Sequence, residues 1–186
     1  MAYFTTKQLV FIALMAALLF VLNFVVGSWI IALSGVPGSS AFITGITNLA
    51  VVSFVALTLR KLGSISLLYL VYGLLALPTP MAGGPPGFVW KIPALVFSAL
   101  LFELVLHFTK YRKVGFIVGI PVLTLVGFGM FLLIYRLLGM PEYGKLLGVV
   151  PYLALAFILL GYVGMWVGFV GYNRLKNRQL MRQISG

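Results

Sequence analysis

The chain has 186 residues, 62% of them hydrophobic and 8% charged, with 13 Lys and Arg against two acidic residues. A water-soluble domain carries about 25% charged residues, and a fold of this size cannot hide so much apolar surface in one core. Composition therefore excludes an ordinary soluble enzyme and makes lipid the main solvent. The lack of cysteine removes disulfide and thiolate chemistry, and a single histidine, His107, removes a multi-histidine metal site. On this inventory neither a cofactor nor a resident metal is expected.

A membrane helix needs about 20 apolar residues to cross roughly 30 Å of hydrocarbon. Six spans are predicted in chain order: Gln8 to Leu33, Ala41 to Leu59, Ser64 to Leu77, Lys91 to Thr109, Gly115 to Leu138 and Val149 to Tyr172. A basic tail over 173–186 follows. The first reads as a retained helix, because its apolar run exceeds the roughly 7 to 15 residues of a signal peptide and only Lys7 precedes it. The third is short and runs into Pro78, Pro80, Gly83, Gly84, Pro85, Pro86 and Gly87, which cannot continue a helix and predict a long structured loop. The expected fold is all-α, a single polytopic transmembrane domain of six helices.

Loops assigned alternately to two sides divide the cations unevenly. One side collects Lys7, Arg60, Lys61, Lys110, Arg112, Lys113, Arg174, Lys176, Arg178 and Arg182, whereas the other has Lys91, Arg136 and Lys145. Cytoplasmic loops carry the Lys and Arg excess, so both termini are expected in the cytoplasm. The net charge of +11 is then spread over four segments beside anionic lipid, which argues against nucleic acid as the partner.

Three patterns have a structural reading beside a chemical one. Gly139, Gly144 and Lys145 have P-loop spacing, but Leu146 replaces the magnesium-binding Ser or Thr and no strand precedes them. Glu103 and His107, four apart on the fourth span, share a helix face; they suit a proton relay or a weak metal site, or else a buried polar pair that fixes packing. Gly161, Gly164, Gly168 and Gly171 form a small-residue stripe that lets helix backbones approach closely, as do Gly115 and Gly119 on the fifth span.

Two features point past a generic bundle. Ala13 and Ala17, with Ala16 beside them, make a smooth patch on the first span suited to docking another membrane helix. Polar and aromatic residues also gather on the predicted outer half. Asn23 lies roughly 22 Å up from Gln8, and Thr44 and Asn48 lie within about 10 Å of the outer surface. Trp90, Lys91, Arg136, Tyr143, Lys145 and Tyr152 join them from the loops and span ends. Such a set suits a small-ligand pocket, and its aromatic and basic members equally suit an interfacial belt with snorkelling cations. The three outer cations favour a ligand with a carboxylate or phosphate.

With six spans, both termini inside and Ala13-x-x-x-Ala17 in the first span, the whole chain resembles the substrate-binding S components of energy-coupling-factor (ECF) transporters, which import vitamins and related micronutrients in prokaryotes. The resemblance implies a multi-pass protein of the prokaryotic plasma membrane that captures a vitamin-like substrate at the outer face. It implies docking through Ala13 and Ala17 onto a transmembrane coupling subunit, with ATP hydrolysis on two partner ATPases and no enzyme activity in this chain. It also implies a lid formed by the Ile31 to Ser40 and Pro78 to Trp90 loops. Two other classes stay open: an ATP-independent channel or carrier, and a membrane scaffold or intramembrane enzyme.

Overall fold

Inside hydrocarbon no water is available for backbone N–H and C=O groups, so long apolar stretches satisfy them internally as helices. The computed structural model describes residues 3–34, 40–80, 86–139, 143–178 and 184. Six helices follow one another: α1 (Thr6–Ser34), α2 (Ser40–Leu59), α3 (Ser64–Leu75), α4 (Lys91–Phe108), α5 (Lys113–Leu137) and α6 (Tyr143–Leu175). There is no strand among the described residues. The helix α6 starts six residues ahead of the predicted span and carries Pro151 inside it.

Among the described residues four helices are long and apolar enough to cross a membrane, over Thr6–Ile30, Lys91–Phe108, Lys113–Leu137 and Leu147–Leu175. Thr44–Leu59 and Ser64–Leu75 are shorter apolar helices. The 12 residues of α3 rise about 18 Å, short of the hydrocarbon thickness. Large apolar side chains stand exposed along α1 (Val10, Leu14, Val21, Trp29), α5 (Val114, Leu125, Leu133) and α6 (Leu155, Leu159, Trp166). Apolar surface on that scale needs lipid rather than water. The chain is a membrane-embedded helical protein.

Residue pairings fix the direction of every helix. Phe11 meets Phe54 and Asn23 meets Thr47, so α1 and α2 are antiparallel. Glu103 reaches Ser64 at one end of α3 while Ile92 lies against Gly73 near the other, so α3 and α4 are antiparallel. Phe102 packs on Phe116 and Ser98 approaches Gly127, which reverses α5 relative to α4, and Phe116 on Phe169 with Phe128 on Phe157 reverses α6 in turn. The contacts close a ring in the order α1, α2, α6, α5, α4, α3, with α2 also touching α3.

Strict alternation brings α2 and α6 together in parallel, and here the glycine stripe acts. Gly164 lies against the carbonyl of Ile46, Gly168 against the carbonyl of Ala50, and Gly161 against Leu49 and Ile120. The stripe serves packing inside this bundle, and Gly119 does the same beneath the Phe102 ring.

The alternation also gathers the basic residues. Lys61 Nζ donates to the carbonyl of Tyr3 and to Gln8 Oε1, and Gln8 Nε2 donates to the carbonyl of Ile184. Tyr3 and Ile184 thus lie at the end of the bundle that holds the α2–α3 and α4–α5 turns. That end carries Lys7, Arg60, Lys61, Lys110, Arg112, Lys113, Arg174, Lys176 and Arg178; Arg182 falls outside the described residues.

Tyr111 sits in the α4–α5 turn in the left-handed region, at φ 55°. Its half-buried phenol finds no hydrogen-bond partner among the described residues. Burial, then the nearby Glu103 carboxylate and Tyr3, push its pKa up to about 12. The folded state therefore holds this proton more tightly than the unfolded chain, whose tyrosines titrate near 10. The resulting stability is present below about pH 10 and is lost as the pH rises towards 12. Ultraviolet titration of the wild type against Tyr111→Phe should show one tyrosinate fewer appearing in the uppermost step.

Candidate functional site

An amide in lipid is costly unless it is hydrogen-bonded, so Asn23 and Asn48 must recruit partners from other helices. Asn23 is 1% exposed. Its Nδ2 donates to Tyr72 Oη at 3.1 Å, and its Oδ1 accepts from Thr47 Oγ1 at 2.7 Å. Tyr69 Oη donates to Asn48 Oδ1 at 2.9 Å. The Tyr69 and Tyr72 rings stand edge to face, 6.3 Å between centroids. Residues from α1, α2 and α3 thereby form one uncharged network, closed at Asn23, Tyr69 and Tyr72 and partly accessible at Thr44, Thr47 and Asn48. Asn48 lies eleven residues before the end of α2, about 16 Å from Leu59.

The structure brings together Asn23, Thr44 and Asn48 from the sequence expectation and adds Thr47, Tyr69 and Tyr72. Trp90 is 54% exposed and Tyr152 76% exposed, and Arg136 is also exposed, so none of them joins the buried network. The side chains of Tyr143 and Lys145 lie outside the described residues, as do residues 35–39 and 81–85 of the two expected lid loops.

Lys91 has a different place from the one expected. It is fully buried, and Nζ donates to the carbonyls of Ala76 and Thr79 at 3.1 and 2.9 Å. The Ala76 carbonyl caps the C-terminal end of α3, where a cation is favoured by the helix dipole, and that of Thr79 lies in the turn that follows. At the other end of α3, Glu103 is also fully buried. Its carboxylate accepts from the backbone N–H groups of Gly63, Ile65 and Ser66 and from the hydroxyls of Ser64 and Ser66. Orphan N–H groups of a helix start prefer an anion. The helix α4 thus supplies a cation to one end of α3 and an anion to the other. Their spacing of twelve positions matches the 12-residue length of α3.

His107, one turn beyond Glu103, is exposed in the last turn of α4. Glu103 and His107 are therefore not a buried pair; the carboxylate turns to α3 instead. Among the described residues there is no cluster of three metal-ligating side chains. The P-loop spacing fails structurally too, since Gly139 follows a helix and Gly144 lies in the first turn of α6.

On α1, Ala13 is exposed and Ala17 half-buried, whereas Ala16 is fully buried in the core. The accessible part of the small-residue patch is therefore Ala13 and Ala17, flanked by exposed Val10, Leu14 and Val21.

Comparison with protein-family models, with curated proteins and with solved structures finds no match. Fold and geometry define a membrane-embedded helical bundle with an uncharged polar network in its interior.

Proposed function

We propose that the chain is the substrate-capture subunit of an ECF-type transporter in a prokaryotic plasma membrane, with six crossings and both termini cytoplasmic. In this reading a vitamin-like molecule binds at the outer half, and Ala13 with Ala17 docks on a transmembrane coupling subunit powered by two ATPases. The observation that carries it is the network of Asn23, Thr47, Tyr72, Asn48 and Tyr69, contributed by three helices to the interior of a protein otherwise coated in apolar side chains. The gathering of nine basic residues at the end that holds Tyr3 and Ile184 supports the orientation.

The chemistry of the network revises the ligand expected from the outer cations. Lys91 is engaged with the carbonyls of Ala76 and Thr79, and the network has no formal charge. The network favours a neutral hydrogen-bonding molecule, met through the half-buried Thr44, Thr47 and Asn48, over a phosphate or carboxylate.

The test separates capture from transport. Native mass spectrometry of the purified chain should detect a co-purifying molecule of vitamin size. Asn23→Leu should abolish its retention, while Ala13→Leu with Ala17→Leu should retain it and lose uptake in cells that hold the coupling module. Exchange of that molecule by the chain reconstituted alone would instead identify a carrier, and no small molecule in any preparation would identify a scaffold.

A further inference from the structure

A second feature, independent of the transport reading, lies on the membrane-facing side where α1, α2 and α6 meet. An open groove of about 180 Å³ runs between Met15 of α1, Val51 and Phe54 of α2, and Val167, Gly168 and Gly171 of α6. No lining residue is polar, and Gly171, where a side chain would meet only Phe54, leaves the slot open, while Gly168 is closed against α2. Pockets for small polar ligands run to roughly 300–1,000 Å³ and carry convergent polar groups. This groove has neither property; its open, wholly apolar lining suits part of a hydrocarbon chain.

Each wall of the groove ends in a cation on the same side. Three residues past Gly171, about 4.5 Å along α6, stands Arg174. Just past Leu59, the last residue of α2, stands Arg60, its Nε donating back to the Leu57 carbonyl, and eight residues before Met15, about 12 Å along α1, stands Lys7. All three are exposed. Glu103, the one acidic side chain among the described residues, is buried against α3, so no described carboxylate offsets them. An apolar slot with positive charge beyond it at the end of each wall matches an acyl chain followed by its phosphate.

We infer that this groove is a binding site for an anionic glycerophospholipid, one acyl chain lying over Gly168 and Gly171 and the headgroup phosphate meeting Lys7, Arg60 and Arg174. The purified full chain in neutral detergent is titrated with dioleoylphosphatidylglycerol or dioleoylphosphatidylcholine and read by native mass spectrometry. The expected result is one saturable phosphatidylglycerol per chain, held at least about tenfold tighter than phosphatidylcholine.

Gly171→Leu fills the groove, and a Cβ at 171 meets only Phe54 Cδ2 at 3.8 Å, an ordinary contact, so the helices need not part. It should lower phosphatidylglycerol affinity about tenfold or more, in proportion to the lost chain contact. Arg174→Gln, at an exposed position that leaves packing untouched, should lower the preference for phosphatidylglycerol about fivefold without changing phosphatidylcholine binding. If Gly171→Leu does not fold, Arg174→Gln combined with Arg60→Gln carries the test alone. Equal affinity for the two lipids overturns the inference. So does an unchanged preference in the arginine variants, or displacement of the lipid by inorganic phosphate at equal concentration.

Discussion

Glu103→Ala should lower the stability of the bundle by about 3–5 kcal/mol, since each buried donor left without its acceptor costs about 1–3 kcal/mol. The carboxylate is the acceptor for three backbone N–H groups and two serine hydroxyls at the start of α3; alanine strips the buried Ile65 N–H and the half-buried Gly63 and Ser66 donors of it, while the Ser64 hydroxyl keeps the Lys61 carbonyl. Glu103→Gln keeps the volume but sets an amide NH2 against N–H donors, so it should fall between alanine and wild type. His107→Ala is the internal control: it is on the same helix face, one turn away and exposed, and should change stability by no more than about 0.5 kcal/mol. Thermal unfolding in detergent reads the difference as a shift on the order of 10 °C for Glu103→Ala. Equal midpoints for the Glu103→Ala and His107→Ala chains would show that α3 is not held by this carboxylate.

That contrast also shows what the sequence reveals and what it conceals. The helices were legible because apolar runs of membrane length separated by Pro, Gly and basic turns leave few alternatives. The length of α3 was legible as a shortfall, since Pro78 follows within three residues of Leu75. The partner of Glu103 was not, because four-residue spacing speaks of neighbours on one helix while the carboxylate's partners come from positions 63 to 66 on another. Lys91 misled for the same reason. An isolated lysine at a predicted outer boundary looks like a ligand contact, and nothing local says that α3 ends just where its ammonium group can reach two carbonyls.

The site was half legible. Asn23 and Asn48 announce themselves, since amides at that depth need partners. Tyr69 and Tyr72 do not, because tyrosine is at home in both a core and an interfacial belt. Their three-residue spacing on an apolar helix, with Thr44, Thr47 and Asn48 at helical spacing on its neighbour, was the signal available. Trp90 and Tyr152 are exposed, which agrees with the interfacial-belt side of the two readings open for them.

The second large effect is expected on α6. Gly164→Val should cost about 3 kcal/mol or more, at the upper end for overpacking a core, because a Cβ there runs into the Ile46 carbonyl, with Leu49 Cβ at 3.0 Å and the Ala50 nitrogen at 3.1 Å. Backbone atoms cannot rotate aside as a side-chain tip can, so α2 and α6 must separate. Gly168→Ala should act in the same direction, since its Cβ would lie 2.6 Å from the Ala50 carbonyl and 2.9 Å from Ser53 Cβ. Gly148→Ala lies on the same helix with nothing within 4 Å of the new Cβ; it should be neutral or stabilise by up to about 1 kcal/mol through helix propensity alone. Unfolding midpoints of the three variants therefore separate close approach from propensity, and a silent Gly164→Val would rule out the tight α2–α6 contact. The consequence reaches the polar network, because Ile46 and Leu49 bracket Thr47 and Asn48 on α2. A variant that pushes α2 off α6 without unfolding the chain should shift Thr47 relative to Asn23, and so weaken ligand retention from the far side of the helix that carries the site.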